Sequence, residues 1–389
     1  MTHIALIGAG NISDTHARAC REVAGVQIVA VHGANHVRAA ELAELYGGVA
    51  YPDLPAMLAH RPLDAVIIGS PSGVHAEQGM AAARAGLHVL VEKPLDITVA
   101  AADRLIAEAR LARVRLGVLF QDRTQPSFVR LREALISGAL GRPLLASARV
   151  KWYRAPEYYT DSRWRGTRAL DGGGALINQG IHTVDLLAWL LGPVRRVLAH
   201  SATLLHEIDV EDTALAILEF ESGVRASFEA TTAAYPGYAR RVELSTTEGT
   251  IVLEHDRVIA ADLRTSIDGL LPELDADTNR SASSPVVSDV RGHQRLIEDF
   301  VAAIHEQREP LCSGVEGRRS LAIVEAIYES ARTGRAVDVG SAGTEVPAPH
   351  WSPGFTLKSR LHTESRCGAG TSVPAMPVTF GAARGRCRA

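Results

Sequence analysis

The stretch Ile4-Ala5-Leu6-Ile7-Gly8-Ala9-Gly10-Asn11-Ile12-Ser13 governs how the rest of the chain is read. The unbroken apolar run from Ile4 to Ile7 lacks the alternation of a half-buried strand and describes one covered on both faces. Gly8 permits a tight turn at its end, and Gly10 lets backbone come close to a bound group. Asn11, Ile12 and Ser13 then open a helix whose free N–H groups and positive dipole end favour a pyrophosphate. The spacing G-x-G-x-x-S is one step from the dinucleotide fingerprint, whose last position tolerates a small residue.

Outward from that turn, short apolar runs alternate with helix-length amphipathic stretches. Strands are predicted at Val26–Val31, Ala65–Ile68, His88–Val91 and Leu116–Leu119. Helices are predicted between them, at Val37–Tyr46, His75–Ala85 and Val99–Ala112. This order describes an α/β Rossmann domain over residues 1–122, a doubly wound parallel sheet with helices on both faces. Ligands of such sheets bind at the carboxyl ends of the strands. Ser70-Pro71-Ser72 with His75 stands at one such end, and Glu92-Lys93-Pro94 at the next. The second strand ends in His32-Gly33-Ala34-Asn35-His36-Val37-Arg38, without the carboxylate that reads a ribose 2′-hydroxyl. Asn35 is suited to the ribose hydroxyls and Arg38 to a 2′-phosphate, so the cofactor is NAD or NADP, with a lean to NADP.

From Asp122 the texture changes. A helix at Ser127–Ile136 leads into strands at Leu144–Trp152, Ala214–Phe220, Arg225–Ala230, Val242–Ser245, Gly249–Glu254 and Val258–Asp262. Helices at Gly292–Glu306 and Gly317–Gly334 follow. Residues 123–339 therefore read as an α+β domain around a large, mostly antiparallel sheet, with one face free for a homodimer or homotetramer. Residues 275–289 read as a polar loop, and 340–389, rich in Gly, Ser, Pro, Thr and Arg, as a disordered tail.

Composition narrows the function. Lys+Arg 41 against Asp+Glu 44 gives a net charge of −3, not the basic excess of a nucleic-acid binder. No apolar run reaches the roughly 18 residues of a membrane helix. The four cysteines are scattered, with no C-x-x-C pair, which points to a reducing cytoplasm and to neither a disulfide framework nor a metal site.

The glycine turn, Glu92-Lys93-Pro94, Trp164-Arg165 and the segment Asp171-Gly-Gly-Gly174-Ala-Leu-Ile-Asn178-Gln-Gly-Ile-His182-Thr-Val-Asp185 together resemble the Gfo/Idh/MocA family over about residues 1–338. Within it the chain is most similar to the nucleotide-sugar 3-dehydrogenases. The resemblance implies an NAD(P)-dependent enzyme that moves hydride between the nicotinamide and a secondary alcohol of a sugar, nucleotide sugar or polyol. The competing readings are an NAD-requiring glycosidase or lyase of the same family and a non-catalytic cofactor-bound regulator.

If Ala175–Leu191 is one helix, Asn178 and His182 share a face one turn apart. The resemblance sets them over the nicotinamide beside Lys93. His182, with an ordinary pKa of about 6.5, is then the general base, and Lys93 polarises the substrate oxygen. Asn178, where inositol dehydrogenases carry aspartate, would bind a substrate hydroxyl, and the triple glycine would let backbone approach the ligand. Trp164 and Arg165 are expected to reach back to the cofactor, with Gln121, Arg123 and His293 as further candidates for the cleft. Tyr153, Tyr158 and Tyr159 are suited to stacking a sugar. Asp185 is read as orienting its own helix.

Overall fold

The computed structural model describes residues 1–271 and 289–340. Apart from Asp289 and Gly340, the polar-loop expectation (275–289) and the tail expectation (340–389) lie outside them. The first part of the chain runs β1 (Thr2–Ile7), α1 (Asn11–Arg21), β2 (Val26–His32), α2 (His36–Tyr46), β3 (Val49–Tyr51), α3 (Leu54–Leu58), β4 (Ala65–Ile68), α4 (His75–Arg84), β5 (His88–Val91), α5 (Val99–Leu111) and β6 (Leu116–Val118). All strand pairs in this sheet are parallel, in the order β3-β2-β1-β4-β5-β6. The order reverses beside β1, which puts the glycine turn at the crevice between β1 and β4. Ile7 pairs with Ile68 there, so Gly8 lies against Gly69. A Cβ on Gly8 would stand 2.6 Å from the Gly69 carbonyl oxygen, and its φ of +116° suits glycine alone.

The second part continues with α6 (Pro126–Ile136), β7 (Pro143–Lys151), α7 (Glu157–Thr160), a π-helix at Ala175–Gly180 and α8 (Ile181–Leu191). There follow β8 (Val194–Ala202), β9 (Thr213–Phe220), β10 (Arg225–Thr231), β11 (Arg241–Thr246), β12 (Gly249–Glu254), β13 (Arg257–Leu263), α9 (Arg291–His305), α10 (Gly314–Thr333) and β14 (Val337–Asp338). The strands form a sheet in the order β13-β12-β11-β7-β10-β9-β8-β14, antiparallel except where β7 meets β10. Alternation is clean along β9 and β10: Ala214, Ala216, Leu218, Phe220, Ala226, Phe228 and Ala230 face the helices and are buried. On the outer face Leu145, Leu198, Leu215 and Ile217 are 40–56% exposed.

Five elements, β3, α3, α7, β8 and β14, fall outside the sequence expectation. Four are five residues or fewer. β8 carries a bulge between Val194 and Arg196 that breaks the period-two pattern by which strands are recognised. No helix among the described residues is long and apolar enough to cross a membrane.

Candidate active site

All described residues belong to one compact unit. A cleft of about 1250 Å³ runs from the carboxyl edge of the parallel sheet to the inner side of the second sheet. Gly8, Gly10, Asn11, Ile12, Asn35, Arg38, Ser70, Pro71 and His75 line one end. Gly10 precedes α1 in extended backbone, and no side chain caps the helix there. A Cβ on Gly10 would meet nothing within 4 Å. The space beyond it and the exposed first turn of α1 fit a dinucleotide diphosphate. Ser13, expected at the ligand, instead lies buried beneath Gly69, where its small size lets helix and strand pack. Asn35 caps α2, its Oδ1 accepting from Arg38 N, and Arg38 reaches back to Asn11 Oδ1 at 3.4 Å. The ring nitrogens of His75 face the carbonyl oxygens of Pro94 and Ser70, which makes it a brace between two strand ends.

At the other end, Lys93, Asn178 and His182 line the same cleft. The Lys93 amine donates to the Asn178 backbone carbonyl at 2.9 Å. That carbonyl lies in the π-helix, whose i→i+5 pattern departs from the single α-helix expected over Ala175–Leu191. The π turn is held from outside the helix. The buried Glu211 carboxylate accepts from Gly174 N, Leu176 N and the Tyr328 hydroxyl. Room for this anchor explains the triple glycine: a Cβ on Gly174 would lie 1.8 Å from Glu211 O, and one on Gly173 2.0 Å from the Tyr328 hydroxyl. The glycines serve packing, not the approach of backbone to a ligand.

Asp171 is the residue that sequence reasoning passed over. It takes Asn178 Nδ2 at 2.9 Å and Gly166 N at 2.8 Å, so the Asn178 amide is already engaged by the protein. Burial pushes the Asp171 carboxyl up to about 7 against the opposing pull of its hydrogen bonds, Lys93 and Arg165. Its place directly before the glycines was the available signal. The expected base also changes character. Burial, and then the Lys93 charge, hold His182 well below its ordinary pKa. Its Nδ1 is buried without a partner. Burial likewise lowers the Lys93 pKa, opposed by Glu92 and Asp171 and helped by Arg165 and Arg154. The lysine thus moves toward neutral pH while the histidine moves away from it.

Beside Lys93, Glu92 accepts from His16 Nε2 at 2.9 Å and stands 3.6 Å from His293 Nε2, while its other oxygen takes Lys93 N. Burial alone would raise the Glu92 pKa, and the two imidazoles outweigh it, leaving the carboxyl well below its usual range. Both histidines keep Nδ1 buried and unpartnered. His293 therefore belongs to the site, and His16 was missed because it follows the glycine fingerprint on α1. Gln121, Tyr158, Trp164 and Arg165 also line the cleft. Tyr153 and Tyr159 do not line it; the Tyr159 hydroxyl bonds Thr232 Oγ1. Arg123 lies behind it, paired with Asp185 at 2.7 Å and Glu316 at 2.7 Å, and Asp185 also takes the Ser320 hydroxyl.

Comparison with known proteins identifies the family of both parts of the chain. Residues 2–120 match the profile described as the oxidoreductase family, NAD-binding Rossmann fold, and residues 128–252 that of the GFO/IDH/MocA C-terminal domain. The D-apiose dehydrogenase of Paraburkholderia graminis is 31% identical over 361 residues, spanning 88% of this chain and 91% of that protein. The WlbA dehydrogenase of Bordetella pertussis, solved with NADH and UDP-GlcNAcA, superposes with a TM-score of 0.79 at 30% identity, over 87% of this chain and 98% of that one. Levoglucosan dehydrogenase, solved with NADH and L-sorbose, gives a TM-score of 0.76 at 26% identity, over 87% and 98% of the two chains.

Proposed function

The chain belongs to the GFO/IDH/MocA family of NAD-binding oxidoreductases, and from that premise we propose that it oxidises or reduces a secondary alcohol on a sugar, nucleotide sugar or polyol. The observation that carries this reading is the arrival of Lys93 at the Asn178 carbonyl, four positions before His182, in the cleft that begins at the glycine turn. A bound nicotinamide supplies the hydride acceptor or donor. In the oxidative direction the substrate hydroxyl loses its proton to Lys93 as the carbon loses hydride. Burial suits Lys93 to this role by weakening its hold on a proton. His182, held neutral, bonds the same oxygen and steadies developing negative charge. Glu92, clamped by His16 and His293, fixes the backbone of Lys93.

The labour divides along the chain, with residues 1–122 holding the cofactor and 123–339 facing the substrate. Arg38 at the glycine turn and the lack of a carboxylate after β2 support NADP over NAD. The exposed Leu145, Leu198, Leu215 and Ile217 support a homo-oligomer built through the outer face of the large sheet. The test is nicotinamide absorbance with a sugar panel and both cofactors, together with native mass spectrometry for retained cofactor and assembly size. Turnover and retained NAD(P) are the expected results. A protein that binds neither cofactor refutes the reading.

A further inference from the structure

Glu211 precedes β9 and does not line the cleft, yet it satisfies three consecutive N–H groups at the start of the π turn. Its carboxylate takes Gly174 N at 3.1 Å and Leu176 N at 2.9 Å, and its backbone carbonyl takes Ala175 N at 3.0 Å. The Tyr328 hydroxyl, from α10, donates to the same carboxylate at 3.0 Å. The N–H groups at a helix start have no acceptor within the helix, and they mark its positive end. A carboxylate there answers both needs. Burial raises the Glu211 pKa, and these donors pull against it.

The anchor is itself fixed. The carboxylate of the neighbouring Asp212 accepts from Leu204 N, Leu205 N and His206 N at 2.8–3.0 Å. The Asp212 backbone bonds Ala202 O at the end of β8 and Thr232 N just past β10. The far end of the π turn rests on the same sheet: a Cβ on Gly180 would lie 3.0 Å from the Phe228 ring and 3.1 Å from the Ala230 methyl. Between these two ends lies Asn178, whose carbonyl receives the Lys93 amine at 2.9 Å, and His182 follows one turn on. A shift at the start of the helix therefore moves the seat of Lys93 and the His182 ring together. Misplacing reacting groups by about 1 Å costs on the order of 100-fold in rate.

We propose that Glu211 is a positioning residue: from outside the cleft, its carboxylate sets the π turn that seats the Lys93 amine and aims His182 at the same oxygen. The proposal rests on the oxidoreductase reading for what Lys93 does, and not for how its amine is held. Tyr328 belongs to the same device, as the side chain that holds the carboxylate from behind.

The experiment compares Glu211→Gln with the parent in three readings. The substitution keeps the side-chain shape, removes the charge and turns an amide N–H2 toward the donors. The first reading is kcat on a sugar that the parent turns over, and the second is NAD(P)H affinity. The third needs no substrate. The chain has three lysines, Lys93, Lys151 and Lys358. Labelling with acetic anhydride across pH, read by mass spectrometry, gives a midpoint for Lys93 with Lys151 as internal reference.

Glu211→Gln should lower kcat by on the order of 100-fold while NAD(P)H affinity stays within about threefold. Burial is the largest cause of the lowered Lys93 pKa, so a loosened turn that admits water should raise the labelling midpoint by about one pH unit. A folded Glu211→Gln protein with kcat or the Lys93 midpoint at the parent's value overturns the proposal, whatever its melting temperature, since the carboxylate would then serve the fold alone. So does a loss of NAD(P)H affinity as large as the loss of kcat. If Glu211→Gln does not fold, Tyr328→Phe takes its place. It removes one donor from the carboxylate and should move kcat and the midpoint in the same directions by smaller amounts; either one unmoved overturns the proposal. A parent that turns over no sugar sinks the oxidoreductase reading, and the Lys93 midpoint then decides the positioning role alone.

Discussion

At one end of the cleft, Gly8, Gly10 and the first turn of α1 come from adjacent residues and act through backbone. At the other, the Lys93 amine meets the Asn178 backbone carbonyl across 85 residues of sequence, and a third segment holds that π turn through Glu211. The first end needs little but the right φ angles and empty space. The second needs the π turn, a buried carboxylate beneath it and a lysine whose amine the π-helix carbonyl receives. A change at the glycine end should therefore remove a ligand and leave the chemistry intact, whereas a change at the lysine end should do the reverse.

The hardest test of that contrast is Lys93→Met, which keeps the stem and removes the amine. It should lower kcat by on the order of 1000-fold or more, the combined scale of lost proton transfer and lost charge stabilisation. Affinity for NAD(P)H should stay within about threefold, read by fluorescence titration. Turnover within tenfold of the parent would assign the proton to another group.

The glycine end is tested by a pair. Gly10→Val fills space that no protein atom occupies, in backbone any residue adopts, so the melting temperature should hold while NAD(P)H affinity falls by on the order of 100-fold. Gly8→Ala puts a methyl 2.6 Å from the Gly69 carbonyl at a φ of +116°. It should cost about 2 kcal/mol or more and lower the melting temperature by several degrees. If both variants lose cofactor and stability alike, the two glycines do not divide these roles.

The same contrast explains what could be read in the sequence. The parallel sheet was legible because β1, β4 and β5 carry the apolar runs Ile4–Ile7, Ala65–Ile68 and Val89–Val91, and the glycine fingerprint because its chemistry sits in neighbouring residues. The placement of Lys93, Asn178 and His182 in one cleft was legible only through a combination of motifs. Their environment was not. The lowered pKa of His182, the high one of Asp171 and the clamp of His16 and His293 on Glu92 all arise from burial and contacts that only the folded chain makes. The anchoring of the π turn by Glu211 left no local mark beyond the glycines that make room for it.

Asp171 sharpens the lysine end further. With a carboxyl at about 7, its ionisation should strengthen the hold of Lys93 on a proton as pH rises. The profile of kcat/KM against pH should show an inflection near that value. In Asp171→Asn this inflection should vanish, with a loss of about tenfold or less at its most affected pH. An unchanged profile would assign the inflection elsewhere.

The smallest effect is on stability, where His182 and Asp171 act with opposite sign. The folded pKa of His182 is depressed, so its contribution is full above the unfolded value near 6.5 and is lost as pH falls below it. Asp171 has a raised folded pKa, so its contribution is full below the unfolded value near 3.8 and is lost as pH rises through about 7. Urea midpoints between about pH 7 and pH 5 separate the two. His182→Gln should lose less stability over that interval than the parent, and Asp171→Asn should lose more, each by at most about 2 kcal/mol. Shifts of the same sign in both variants would mean that burial does not set these two groups in opposition.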